Sequence, residues 1–411
     1  MSRERLGANY WKLWIASAIS NLGDGVRWTA LPLLAASLTH DPARVAAIDF
    51  SASLPWFLFA LPAGALVDRL DRRRVMVVSN VVRAAAMSLL AFFVLRELAP
   101  LFLLYAIAFC LGCAETMFDN AAQALMPRLV ERAHLEKANG RLYAAELIAN
   151  QFVGPPLGGF LFAIAMAVPF LLDAASFAIA AGLIVSLVGA FRVADRPDAV
   201  TKLRHDIGEG LRWLWAHRLL RTLAAFLGIQ NMMSTACFSI FVLVSIEILG
   251  LSDAGYGLLL TSLAIGSFVG SVTVSPLSRK VGSGTTLFIC LAVSAAAYLV
   301  VALSSNPVVT GIGIGVLGWP IVAWNVITVS LRQSIIPDRL LGRVNSVYRL
   351  MGWGTMPLGA ALGGLLGRTL GLRSPFFVAA AAHALLAVVA IAAMSNAVLS
   401  RAREEAADPP A

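Results

Sequence analysis

Apolar residues in this chain come in long unbroken runs rather than at the spacing of a soluble helix or strand. A helix needs about 20 apolar residues to cross a bilayer. Bounded by charges, Pro and Gly, twelve such runs fall near 11–38, 46–67, 74–95, 99–125, 138–163, 167–190, 220–249, 255–276, 284–304, 308–332, 343–367 and 374–398. The polar stretches between them are short and leave no room for a soluble domain. The pattern predicts an all-α integral membrane protein of twelve transmembrane helices. It divides into a six-helix bundle over 1–190, a cytoplasmic linker over 191–219, a second six-helix bundle over 220–398 and a tail over 399–411. In the linker, Leu203, Ile207, Leu211 and Trp215 recur every four residues with Arg204, Arg212 and Arg218 among them, the pattern of an amphipathic helix on the membrane surface.

The two halves repeat each other at a separation of about 205 residues. Tyr143 precedes Gly154-Pro155-Pro156-Leu157-Gly158-Gly159, and Tyr348 precedes Gly359-Ala360-Ala361-Leu362-Gly363-Gly364 at the same spacing. Gln123 and Pro127 are echoed by Gln333 and Pro337, and Ile19-Ser20-Asn21-Leu22 more faintly by Ile229-Gln230-Asn231-Met232. Many transporters bind substrate between internal repeats, so the repeat predicts two pseudo-symmetric bundles working by alternating access. Gly154, Pro155, Gly158, Gly159, Gly359, Gly363 and Gly364 are the expected points of bending and close helix packing.

Composition agrees with the runs. Of the 411 residues 59% are hydrophobic and 13% charged, and mean hydropathy is +0.80. Soluble domains lie near 45–50% apolar and 25% charged. The net charge of +9 is a topology signal rather than a nucleic-acid footprint. With the N-terminus inside, 25 of the 32 Lys and Arg fall in cytoplasmic segments and four outside, which places both termini in the cytoplasm and excludes nucleic acid as a partner. Cys110, Cys113, Cys237 and Cys290 all lie in apolar runs, so neither a disulfide framework nor a metal site is expected. Gly313-x-Gly315-x-x-Gly318 lies inside an apolar run with no preceding strand, which argues against a dinucleotide cofactor. No nucleophile–base or ligand cluster is present in the spans. No enzyme, catalytic residue or cofactor is expected, and an ion gradient is the expected driving force.

Charges inside spans are costly and mark function. Asp24 and Arg27 share a face of span 1, one turn apart. Glu115 and Asp119 share a face of span 4, and Arg83 lies in span 3. Two close carboxylates do not readily ionise together, so this half is where proton coupling is expected. Asp173, near the outer end of span 6, reads as a cap or gate. Glu146 and Arg349 occupy equivalent cytoplasmic stretches of spans 5 and 11, and a salt bridge between them would close an inner gate. His383 in span 12 reads as a packing residue.

Gly64-Ala65-Leu66-Val67-Asp68-Arg69-Leu70-Asp71-Arg72-Arg73-Arg74 resembles the signature loop of the major facilitator superfamily, with Asp71 where glycine is usual. Gly154-Pro155-x-x-Gly158-Gly159 resembles the end of that superfamily's antiporter motif, whose earlier glycines are replaced here by Arg141 and Asn150. Ser20-Asn21-Leu22-Gly23-Asp24 and Gly342-Arg343-Val344-Asn345-Ser346-Val347-Tyr348 are similar to the twelve-span drug:proton antiporter branch that contains macrolide-efflux pumps and the enterobactin exporter. The resemblance implies that Gly64, Asp68, Arg69, Arg72 and Arg73 form a cytoplasmic latch. It implies export of an amphipathic drug or secondary metabolite in exchange for protons, from a monomer in a bacterial inner membrane, with substrate, protons and lipids as partners. Siderophore export, lipid flipping and uniport on the same fold stay open.

Overall fold

The computed structural model describes residues 6–67, 69–131, 134–189 and 199–407. Every regular element among them is a helix: α1 (Ala8–Leu38), α2 (Pro42–Val67), α3 (Arg72–Leu95), α4 (Leu101–Leu129), α5 (Leu135–Glu146), α6 (Gly154–Ile164), α7 (Val168–Val185), α8 (Ala199–Ala216), α9 (Arg218–Phe238), α10 (Phe241–Leu243), α11 (Asp253–Val281), α12 (Ser283–Leu303), α13 (Pro307–Ile335), α14 (Asp338–Trp353), α15 (Met356–Leu370), α16 (Ser374–Ala393) and α17 (Asn396–Ala407). A π-helical segment, Leu147–Val153, joins α5 to α6 into one rod, and a second, Val244–Ile248, continues α10.

Among the described residues eight helices are long and apolar enough to cross a membrane, or nine when α9 and the segment Phe241–Ile248, bent by 42°, are taken as one span. The 31 residues of α1 rise roughly 46 Å at 1.5 Å each, longer than a hydrocarbon core of about 30 Å. Phe102, Val78, Ile312 and Leu365 project outward from their helices, as a lipid-facing exterior requires.

The chain folds into two units: Met1–His40, Ser51–Ala199 and Leu251–Leu258 form the first, and Asp41–Phe50, Val200–Gly250 and Leu259–Ala411 the second. In the first, α1 packs against α6 and α7, and α3 against α4 and α7. One of its apolar clusters gathers Tyr10, Leu13, Met76, Leu125 and Ile184. In the second, α9 packs against α15 and α16, and α12 against α13 and α16. Tyr348, Trp324, Leu331 and Leu220 lie at its centre.

Small residues stand where backbones meet. A Cβ on Gly154 would lie 2.5 Å from the Cα of Gly25, and one on Gly158 would collide with the carbonyl of Val26, so α6 lies directly on α1. Gly359 and Gly363 bring α15 onto Met232 and Ala236 of α9 in the same way. Within their own units, Gly159 meets Asp253 and Gly364 meets Ala43.

The linker helix α8 is held at Glu209, which pairs with Arg343 of α14, and at Leu214, which is fully buried. Leu211 and Trp215 are exposed, as a membrane-facing stripe would be, while the side chains of Leu203 and Ile207 lie outside the described residues.

Candidate functional site

In the first unit the charges fall together. Arg27 donates from Nη2 to Asp24 Oδ1 at 2.5 Å, and its Nε lies 3.2 Å from Asp173 Oδ2. Asp24 and Arg27 keep 15% side-chain exposure, whereas Asp173 keeps none. The second contact is an ion pair in distance but not a hydrogen bond, since neither Nε nor Oδ2 has a hydrogen-bond partner among the described residues. Asp173 therefore does not cap its helix: it sits in the second turn of α7, accepts from Ser176 Oγ at 3.4 Å and faces α1. Gly23 permits this approach, because a Cβ there would collide with Asp173 and Ser176.

Glu115 and Asp119, on one face of α4, are each half-buried and within electrostatic range of Asp24 and Arg83. The Arg83 guanidinium is buried over the rings of Phe118 and Phe177, 5.2 Å from each centroid, an arrangement that offsets part of its desolvation. Glu146, at the end of α5, also reaches this set, interacting with Glu115 and Asp24. Four carboxylates (Asp24, Glu115, Asp119 and Asp173) thus share two guanidiniums (Arg27 and Arg83). Such an excess of negative charge in a low-dielectric interior attracts a positively charged group.

Two polar residues within the helices escape sequence reasoning. Asn80, one turn before Arg83, is fully buried with neither amide atom hydrogen-bonded among the described residues. Asp49 lies inside α2. The search for charges within apolar runs finds Asp49 if applied to span 2, and extending it to amides finds Asn80.

The signature loop has a local logic. Asp68 lies outside the described residues. Asp71 caps α3, accepting from the Arg74 backbone N–H at 3.0 Å, which accounts for a carboxylate where glycine is usual. Arg72 donates to the Ala124 carbonyl and Arg73 to the Leu187 carbonyl, each at 2.7 Å. The Leu187 carbonyl lies just past the C-terminal end of α7, where a cation is favoured, whereas that of Ala124 lies five residues before the end of α4. Gly64 has the Asn120 Oδ1 3.6 Å from the place of a Cβ, and Arg69 is exposed.

In the second unit Arg349 lies 4.6 Å over the Trp353 ring. His383 is buried, donates from Nδ1 to the Ala379 carbonyl at 2.8 Å and sits 5.0 Å from the Tyr298 ring. No cluster of three metal-ligating side chains exists among the described residues.

Comparison with known proteins agrees with this architecture. The family described as transmembrane secretion effector matches residues 7–410. The multidrug efflux pump Tap of Mycolicibacterium fortuitum is 27% identical over 391 residues, covering 92% of this chain and 93% of the pump. The enterobactin exporter EntS of Citrobacter koseri is 24% identical over 359 residues, 86% of this chain and 84% of the exporter. Among solved structures, a bacterial homologue of the iron transporter ferroportin superposes with a TM-score of 0.75 at 17% identity over 95% of this chain and all of that one.

Proposed function

Because the chain belongs to the transmembrane secretion effector family of major facilitator transporters, and is no enzyme, we propose that it exports an amphipathic drug or secondary metabolite in exchange for protons. The Asp24–Arg27–Asp173 triad carries this reading. A half-buried cation shared by two carboxylates, with Glu115 and Asp119 beside it, is the setting in which a proton and a cationic substrate compete. The similarity to a multidrug pump and to an exporter of enterobactin supports the outward direction.

The working form is a monomer of twelve spans in a bacterial cytoplasmic membrane with both termini inside. Its bundles run over 1–190 and 220–398, joined by the 191–219 linker and followed by the 399–411 tail. Gly64, Asp68, Arg69, Arg72 and Arg73 latch it on the cytoplasmic side, so Asp68→Asn inserts normally and transports poorly. A bridge between Glu146 and Arg349 would act at the same gate.

Inside-out vesicles with an imposed proton gradient test the proposal. Macrolides, dyes, tetracyclines and catecholate siderophores are added while lumenal pH is followed. Proton release on adding one class, absent in Asp24→Asn, supports antiport. Export without proton movement would replace antiport with uniport.

A further inference from the structure

The second unit holds a cavity of about 120 Å³ between α9, α12, α13 and α16. Asn231, Ser234, Ser294, Tyr298, Asn325 and His383 supply its polar lining, and Trp324 and Leu317 part of its apolar wall. The amide Nε2 of Gln230, also in the lining, is buried with no hydrogen-bond partner among the described residues. Buried donors are normally satisfied, so an unmet one in a polar cavity calls for an acceptor from outside the protein.

The position of this cavity gives it meaning. The repeat pairs Asn21 with Asn231 at a separation of 210 residues, and the same step carries Asp24 to Ser234 and Glu115 to Asn325. Arg83-Ala84-Ala85-Ala86 matches Ser294-Ala295-Ala296-Ala297. Helices α7 and α16 both open on Pro-Phe, at Pro169 and Pro375, which puts His383 one turn beyond the counterpart of Asp173. At three of the six charged positions the second copy keeps a neutral polar side chain, with two acids becoming a hydroxyl and an amide and one arginine a serine, while Arg27, Asp119 and Asp173 fall opposite Cys237, Val329 and Ala379. The His383 ring fits the same pattern. With Nδ1–H donated to the Ala379 carbonyl, the neutral ring offers Nε2 as an acceptor.

We infer that this cavity is a substrate subsite for uncharged groups. It takes an uncharged hydrogen-bonding group of the exported molecule, a hydroxyl, carbonyl or amide borne on an apolar ring. Its size suits one end of a ligand, since whole-ligand pockets run to about 300–1,000 Å³. Amides and hydroxyls that must be hydrogen-bonded discriminate strongly against molecules lacking such groups. The inference rests on the export reading for its substrate class.

Two probes test this subsite. Chloramphenicol is uncharged, with two hydroxyls, an amide and one aromatic ring. Tetraphenylphosphonium is a lipophilic cation with no hydrogen-bonding group. The full chain in phospholipid nanodiscs is dialysed to equilibrium against each, radiolabelled, as wild type, Asn325→Leu and Ser294→Ala. The Kd for chloramphenicol should rise about tenfold in Asn325→Leu and about threefold in Ser294→Ala, the range of one neutral hydrogen bond. The Kd for tetraphenylphosphonium should stay within about twofold, which also certifies that the variants are folded. Equal weakening of both probes, an unchanged chloramphenicol Kd, or no saturable chloramphenicol binding by wild type overturns the inference. Proton release in inside-out vesicles is read separately. A selective loss of chloramphenicol binding in a protein that moves no protons leaves the neutral site standing and removes antiport. Proton release with unchanged Kd values does the reverse.

Discussion

The Nε of Arg27 lies 3.2 Å from Oδ2 of Asp173, and this contact ties α1 to α7 through a carboxylate that no solvent reaches. Its strength comes from company. Asp24 holds the other end of the same guanidinium, so two carboxylates share its one positive charge.

Removing that cation should cost more than removing either anion. Arg27→Met leaves Asp173 buried and unpaired, and loss of one partner of a buried pair costs about 3–5 kcal/mol. Arg27→Met combined with Asp173→Leu should recover at least half of the loss. The melting temperature in detergent reads both.

Arg73 should behave as a tether for the end of α7. Arg73→Met removes its bond to the Leu187 carbonyl, and a charged hydrogen bond contributes about 1.5–3 kcal/mol. Partial exposure brings the expected loss to the lower end of that range. Arg73→Lys should restore part of it, as the melting temperature in detergent would show.

Gly158→Val and Gly363→Val should damage the two units alike, because each side chain would enter a neighbouring backbone. Overpacking costs about 1–3 kcal/mol. Both variants should lose folded yield and transport. Gly182→Ala in α7, where a Cβ meets nothing within 4 Å, should match or exceed wild type in stability. Yield of monodisperse protein by size-exclusion chromatography ranks all three.

Acid should loosen the junction between α8 and α9. His217 accepts from the Leu220 backbone N–H and stacks on Trp213, and burial pushes its imidazole below the ordinary value of 6.5. The folded state thus prefers the neutral ring, while the unfolded chain binds the proton first. The contribution is whole above about pH 6.5 and is lost as pH falls through the lower folded value. Between pH 7.5 and 5.5 the melting temperature of His217→Asn, which still caps α9, should fall less than that of wild type.

The charged cluster is readable as a list of residues but not as a set of bonds. Asp24 and Arg27 announce their pairing by helical spacing, because one turn separates them. The contact of Asp173 with Arg27 depends on α7 lying against α1, which local pattern does not encode. Gly23, the residue that admits this approach, looks like any other small residue in an apolar span. Asp71 looks like a lost glycine until the end of α3 is seen to need a cap. Asn80 is hidden for another reason: a neutral amide barely interrupts an apolar run, yet once buried it carries as much unmet hydrogen-bonding capacity as a charge carries field.

The π-helical segment Leu147–Val153 has a consequence for helical phase. Such a turn holds one residue more than the α-helix around it, and one residue amounts to about 100° of rotation. Glu146 before the segment and Gly154 after it are therefore set at angles that an unbroken α-helix would not give them. Taking out a single residue between Leu147 and Val153 would leave the length and hydropathy of this rod almost as they are. It would let the turn close as ordinary α-helix with the glycines of α6 still on α1, so the extra residue is absorbed where it stands rather than passed on along the rod.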